Sequence, residues 1–329
     1  MHQAKRQPAL IPAWHLERIT HPSAPLKRSL PQRLARTAIN SAGALGGAFF
    51  LLCLKVLPKN HIFLLAPFIG MVLRVGVRKQ TLANMRLMLG HQAWTPAQWR
   101  QLWSAQKRHV GATVIESIQY GEWTHEQLLR QVTVEGEEHL RAALASGKGV
   151  MLFISHLGSM GCVPAALGPR GYDLTITGNA MPLPYLERKV NQLYAHGGVK
   201  RVLVGEQLPF KAARTFRQNG IFAAFMDFTV VDKHNHWLPF GQGELKTNIG
   251  SALMALRQGA PILCASCHRL PGYQHRLTIH PPLSLPATAD KIADALTVTR
   301  EAIRLLAEDV RQRPEQWWPW DYAQMRPQS

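Results

Sequence analysis

His156 stands where an imidazole can do chemistry. It follows the apolar run Gly149-Val150-Met151-Leu152-Phe153-Ile154-Ser155 and opens the turn Leu157-Gly158-Ser159-Met160-Gly161. A buried strand that ends in His-x-Gly before a helix delivers the ring to the carboxyl edge of a sheet, where open α/β sheets hold their ligands. A neutral imidazole there can accept a proton from a reacting hydroxyl. No carboxylate follows in the turn to orient the ring.

A second pattern, Cys264-Ala265-Ser266-Cys267-His268, spells a haem c attachment motif. It continues from Ala260-Pro261-Ile262-Leu263 and reads as a core strand. Residues i and i+3 of a strand point to opposite faces, which does not suit two thioethers to one haem. No second ligand pair has zinc spacing. His234-Asn235-His236 is predicted to be a solvated loop. The sequence therefore calls for no metal and no cofactor.

The elements that would position His156 alternate. Thr95-Pro96 starts a helix that runs to about Gln119, with Trp99, Leu102, Trp103, Val110, Val114 and Ile118 near helical spacing. Residues 137–145 form a helix that leads into the strand before His156. Further strands are predicted at 173–177, 199–204, 221–226, 261–266 and 276–279. Helices are predicted at 183–194, 210–218, 248–257 and 290–311. Alternation of this kind predicts an α/β fold with a mixed, largely parallel sheet flanked by helices.

The N-terminal part differs in composition. Residues 1–40 hold Lys5, Arg6, Arg18, Lys27, Arg28, Arg33 and Arg36 against Glu17 alone. Apolar stretches run from Ala42 to Leu54 and from Ile62 to Leu73, each shorter than the roughly 18–20 residues of a spanning helix. The pattern divides the chain into a basic arm over 1–40, an apolar membrane-attachment segment over 41–78 and a folded domain over 79–329. A kinked span, a re-entrant hairpin and a surface anchor all fit the segment. The basic flank would keep it at the cytoplasmic face of an inner membrane.

The whole chain has 38 Lys and Arg against 20 Asp and Glu, a formal charge of +18 that calls for an anionic partner. No helix-turn-helix, zinc-finger or aromatic-basic RNA motif is present, so nucleic acid is not the expected partner. Four scattered cysteines exclude a disulfide scaffold.

Several local patterns, in order, resemble the lipid A biosynthesis (late) acyltransferase family, relatives of the lysophospholipid acyltransferases. They begin at Asn84-Met85-Arg86-Leu87 and include Val134-Glu135-Gly136, Leu140 to Gly149 and His156-Leu157-Gly158. They continue through Leu238-Pro239-Phe240-Gly241, Thr247, Gly250, Gly259-Ala260-Pro261 and Arg313-Pro314-Glu315-Gln316-Trp317. The resemblance spans roughly 75–320. It implies a membrane-attached enzyme that moves an acyl group from a carrier-protein thioester to a lipid hydroxyl, with His156 as base. The implied partners are the carrier protein, the lipid acceptor and the membrane.

The sequence departs from that pattern at the site. The family carries an acid after four residues beyond its histidine; here that place is Gly161, and none of the 15 histidines has Asp or Glu at this spacing. The family's Arg after the next strand is replaced by Thr177-Gly178-Asn179, its Asp-Gln pair by Asp227-Phe228, and its basic C-terminal cluster by Trp320-Asp321-Tyr322. Three explanations follow. Asp227, which ends a predicted strand, supplies the acid, or is a turn residue. A more electrophilic aminoacyl (such as glycyl) thioester needs less base activation; fatty acyl is the first reading and aminoacyl the second. Or the protein is a non-catalytic lipid-binding relative. Ser159 either donates to the oxyanion or caps the next helix. Thr247 and Asn248 either contact the lipid head group or cap the helix after them.

Overall fold

The computed structural model describes residues 61–90, 94–180, 184–205, 207–227, 229, 234–285 and 288–328. The basic arm and the first apolar stretch lie outside these residues.

Seven strands form the central sheet: β1 (Val132–Glu135), β2 (Val150–Ile154), β3 (Leu174–Gly178), β4 (Lys200–Leu203), β5 (Ile221–Phe225), β8 (Ile262–Arg269) and β9 (His275–Ile279). Their spatial order is β1-β9-β8-β2-β5-β3-β4. Every pairing is parallel except that of β8 with β9, which follow each other through a short turn. The predicted sheet class is therefore the observed one.

All five residues of β2 are buried. Met151 and Phe153 face one apolar cluster, Val150, Leu152 and Ile154 the other. A central parallel strand covered on both faces reads as an unbroken apolar run, as here. The helices α8 (Leu208–Arg217), α9 (Gly250–Gln258) and α10 (Lys291–Gln312) close the first face. On the second lie α4 (His125–Gln131), α5 (Glu137–Leu144), α6 (Cys162–Leu167), α7 (Pro184–His196) and Tyr120. Cys264 belongs to the first cluster and Cys267 to the second, as the strand period requires.

A small antiparallel sheet, β10-β7-β6, packs beside the first face, with β6 (Asn235–Phe240), β7 (Gly243–Asn248) and β10 (Met325–Pro327). This corrects the loop expected at 234–236: Asn235 and His236 begin β6 and pair with Asn248 and Thr247. Pro239 is tolerated because β6 is an edge strand. The same proline, with Gly241 in the turn, hides the hairpin from a reading by periodicity.

The second apolar stretch does not make a long helix. A 3-10 turn at Ile62–Leu65 passes into α1 (Ala66–Leu73), and α2 (Arg78–Leu89) follows after a break. No helix among the described residues is long and apolar enough to cross a membrane. The long helix α3 (Pro96–Gln119) starts at a capping box between Thr95 and Gln98. The helices α1 and α3 cross at two glycines. A Cβ on Gly70 would lie 1.7 Å from the Lys107 carbonyl oxygen, and one on Gly111 would lie 1.9 Å from that of Ala66. One side of α1 is thus held against the body. The other leaves Phe68, Met71, Val72 and Leu73 exposed, with Leu64 before the helix and Val75 after it.

Candidate active site

The register of β2 and β5 decides the site. Ile154 pairs with Phe225, and Met226 N donates to Ile154 O at 2.9 Å. Two residues beyond that pair, His156 and Asp227 leave the sheet side by side at its carboxyl edge. The Asp227 carboxylate is fully buried, while the imidazole keeps 14% of its surface exposed. Asp227 Oδ1 lies 2.8 Å from His156 Nδ1. Asp227 Oδ2 accepts from the backbone N–H of His156 and from the indole Nε1–H of Trp317, each at 2.8 Å. The imidazole stacks on Phe225 at 4.1 Å between ring centres. A proton on Nδ1 directed at the carboxylate leaves Nε2 as the basic nitrogen of a neutral ring, the arrangement that a general base requires.

The chain beyond α10 clamps the turn. Leu157 forms an antiparallel bridge with Trp317; Gly158 N donates to Gln316 O and Trp318 N to His156 O, both at 2.9 Å. Gly158 has φ +70°, and a Cβ there would lie 2.4 Å from Cys267 O, so only glycine lets the turn pass β8. Gln316 in turn brackets the main chain of Arg269, accepting from its N–H at 2.7 Å and donating to its carbonyl at 3.0 Å. Arg74, buried at the end of α1, donates to Trp318 O at 2.8 Å and pairs with Asp321. Burial, then the nearby Asp227 and Asp321, raise the Tyr322 hydroxyl well above its ordinary range, so it stays neutral.

Beneath the turn runs a buried polar network that sequence reasoning missed. Arg269 Nε donates to Glu116 at 2.7 Å, and Arg269 also meets Thr113 and His109. His275 Nε2 is 3.3 Å from Glu116, and His275 Nδ1 meets the Tyr120 hydroxyl at 2.7 Å. Burial alone would push the Glu116 carboxyl up, but the guanidinium of Arg269, with His275, outweighs it and holds the group well below the usual carboxylate range. Burial, then Arg269, lowers His109, which stays neutral. Glu116 sits 153 positions from Arg269, beyond the reach of any local pattern.

The proposed substrate contacts fall differently. Ser159 is buried, and its hydroxyl does not cap α6, whose N-cap is Gly161 without a side-chain bond. The Ser159 hydroxyl has no hydrogen-bond partner among the described residues. Thr247 is fully buried in β7, its hydroxyl likewise unpartnered there. Asn248 accepts from Gly250 N, at the start of α9, at 2.8 Å and donates to Asn235 at 3.0 Å, while the N-cap of α9 is Ile249, without a side-chain bond. A cleft of about 530 Å³ lined by His280, Pro282, Thr297 and Arg300 lies near the start of β8, at the opposite edge of the sheet from His156.

The described residues thus form a largely parallel α/β sheet with a His–Asp pair at its carboxyl edge, a geometry compatible with proton transfer. The chain matches the family model described as bacterial lipid A biosynthesis acyltransferase over residues 32–320, and it belongs to that family. Membership makes it an acyltransferase of lipid A biosynthesis, working between an acyl donor and a lipid acceptor. A comparison with curated proteins finds no match.

Proposed function

We propose that this protein transfers an acyl group from a carrier-protein thioester to a hydroxyl of lipid A or a related glycolipid, with His156 as general base and Asp227 as the acid that orients it. The observation that carries the reading is the 2.8 Å contact of His156 Nδ1 with the buried Asp227 carboxylate. An alcohol is a poor nucleophile at neutral pH. His156 Nε2 takes its proton as the oxygen attacks the thioester carbonyl. The resulting imidazolium is stabilised by Asp227. Collapse of the tetrahedral species breaks the carbon–sulfur bond, and the imidazolium returns the proton to the leaving thiolate.

Asp227 in this position supplies the base activation that Gly161 cannot. A more electrophilic aminoacyl donor is then not required, which keeps the fatty acyl reading first. The work takes place at the cytoplasmic face of the inner membrane. The exposed apolar side of α1 supports that location: an unpartnered row of this kind suits the boundary between lipid head groups and acyl chains. It is tied to the site, since Arg74 at the end of α1 binds Trp318, whose N–H holds the His156 carbonyl.

The test is the lipid mass spectrum of cells lacking the gene, restored with wild type or with His156→Ala. A long-chain acyl mass step present with wild type and absent with His156→Ala is expected. A step of one amino acid selects a glycyl-type donor instead. Equal restoration by both overturns catalysis by His156 and leaves a lipid-binding role.

A further inference from the structure

Asp227 comes from the end of a neighbouring strand, not from the turn that carries His156. Local helix geometry therefore does not set the plane of its carboxylate. With Oδ1 on the ring, what holds Oδ2 helps to fix rotation about the last side-chain bond. Among the described residues two donors do so. One is the backbone N–H of His156 itself; the other is the indole of Trp317 at 2.8 Å.

Trp317 is built for that task. It is fully buried, its ring packed by Phe240 at 5.0 Å and by Trp320 at 4.5 Å in an edge-on arrangement. Its main chain bridges Leu157, so the same residue fixes both the carboxylate and the turn that bears the imidazole. The bond is charge-assisted and out of water, where a single donor counts for most.

We propose that Trp317 is the positioning residue of the His156–Asp227 pair: its indole N–H sets the carboxylate so that His156 Nδ1 is held in line. The proposal rests on the catalytic reading above for its consequence in rate, and on geometry alone for the bond.

Two measurements on the full-length protein in detergent micelles test it. The first is the indole ¹⁵N–¹H spectrum of wild type, with Trp317→Phe identifying the resonance and Asp227→Asn removing the charge. The Trp317 resonance is expected downfield of an unbonded indole and displaced upfield by Asp227→Asn. A resonance that Asp227→Asn leaves in place overturns the bond, whatever the enzyme does. The second is transfer from a long-chain acyl carrier-protein thioester and from a glycyl one to lipid A. Trp317→Phe, which keeps a packed ring, should lower kcat by about 10- to 100-fold with the acceptor KM within about twofold. In an Asp227→Asn background the same change should cost under about threefold. An equal loss in both backgrounds, or a loss confined to KM, means that Trp317 only packs. If wild type moves neither donor, the transfer reading itself fails, and the spectrum still decides the bond.

Discussion

Tyr120 stands where the side chain of residue 161 would have to go: a Cβ built on Gly161 lies 2.8 Å from Tyr120 Cδ2 and 3.4 Å from Leu193 Cδ2. Tyr120 is itself held by its 2.7 Å contact with the buried His275. The position that carries the family's acid is therefore closed by the core, and the carboxylate reaches the imidazole from β5 instead.

This relationship gives a sharp expectation. Gly161→Ala should destabilise the protein by about 1–3 kcal/mol through overpacking, read as a lower denaturation midpoint. Gly161→Glu should not rescue Asp227→Asn, because no room exists for the chain that would carry the acid. Recovery of transfer in the double variant would show that Tyr120 yields.

Loss of the base and loss of its partner should differ in kind. His156→Ala should lower the rate about 10²- to 10⁴-fold. Asp227→Asn should keep the fold and the acceptor KM while lowering kcat by roughly 10²-fold or more, since an amide cannot stabilise the imidazolium. Single-turnover transfer kinetics separate the two terms. A change in KM alone would place Asp227 in binding and not in base orientation.

The crossing of α1 on α3 tolerates no side chain at its two contact points. Gly111→Ala should force the helices apart and cost about 1–3 kcal/mol or more. Liposome flotation and thermal denaturation report on this together. A melting temperature like that of wild type would mean that the crossing is loose.

The exposed apolar row gives a surface prediction with little cost to the fold. Replacing Phe68, Met71 and Val72, all exposed, with serine should reduce flotation of the purified protein with anionic liposomes, while its thermal stability stays within about 0.5 kcal/mol per site. Unchanged flotation would move the membrane contact to the chain before residue 61.

Acid should act on the buried network. Glu116 has its carboxyl lowered in the fold and an ordinary value of 4.5 when unfolded. A depressed carboxylate contributes stability that is present above its unfolded value and lost as the pH falls below about 4.5 toward its folded value. Denaturant midpoints should therefore drop between pH 5 and pH 3. Glu116→Gln should be less stable at neutral pH, with Arg269 left buried and unpaired, and should lose less over the acid interval. A variant with the wild-type slope would assign acid lability elsewhere.

Much of this protein was legible along the chain. The sequence by itself determined where six of the seven central strands and the helices between them lie, because an unbroken apolar run such as 150–154 and a helical stripe such as that of 96–119 are local signals; β1, only four residues long at the sheet edge, carries no such run and is the exception. It also placed His156 and Asp227 at the ends of strands. The core-strand context of 264–268 and the strand period, which sends Cys264 and Cys267 to opposite faces, both argue along the chain against haem attachment there. What the chain did not reveal depends on contacts between distant residues. The β6–β7 hairpin was missed because Pro239 and Gly241 break the alternation. Asp227 remained one of several explanations, because two strand ends meet only if their strands are neighbours in the right register. The β2–β5 pairing, with Ile154 opposite Phe225, is a property of the assembled sheet. Trp317 and Glu116 reach their partners across 90 and 153 positions. Tertiary structure alone decided that a carboxylate reaches His156 from just beyond β5, that an indole donates to it, and that Tyr120 fills the space beside residue 161. The physical reason is the same in each case: hydrogen bonds and packing act through space, and only the folded chain sets those distances.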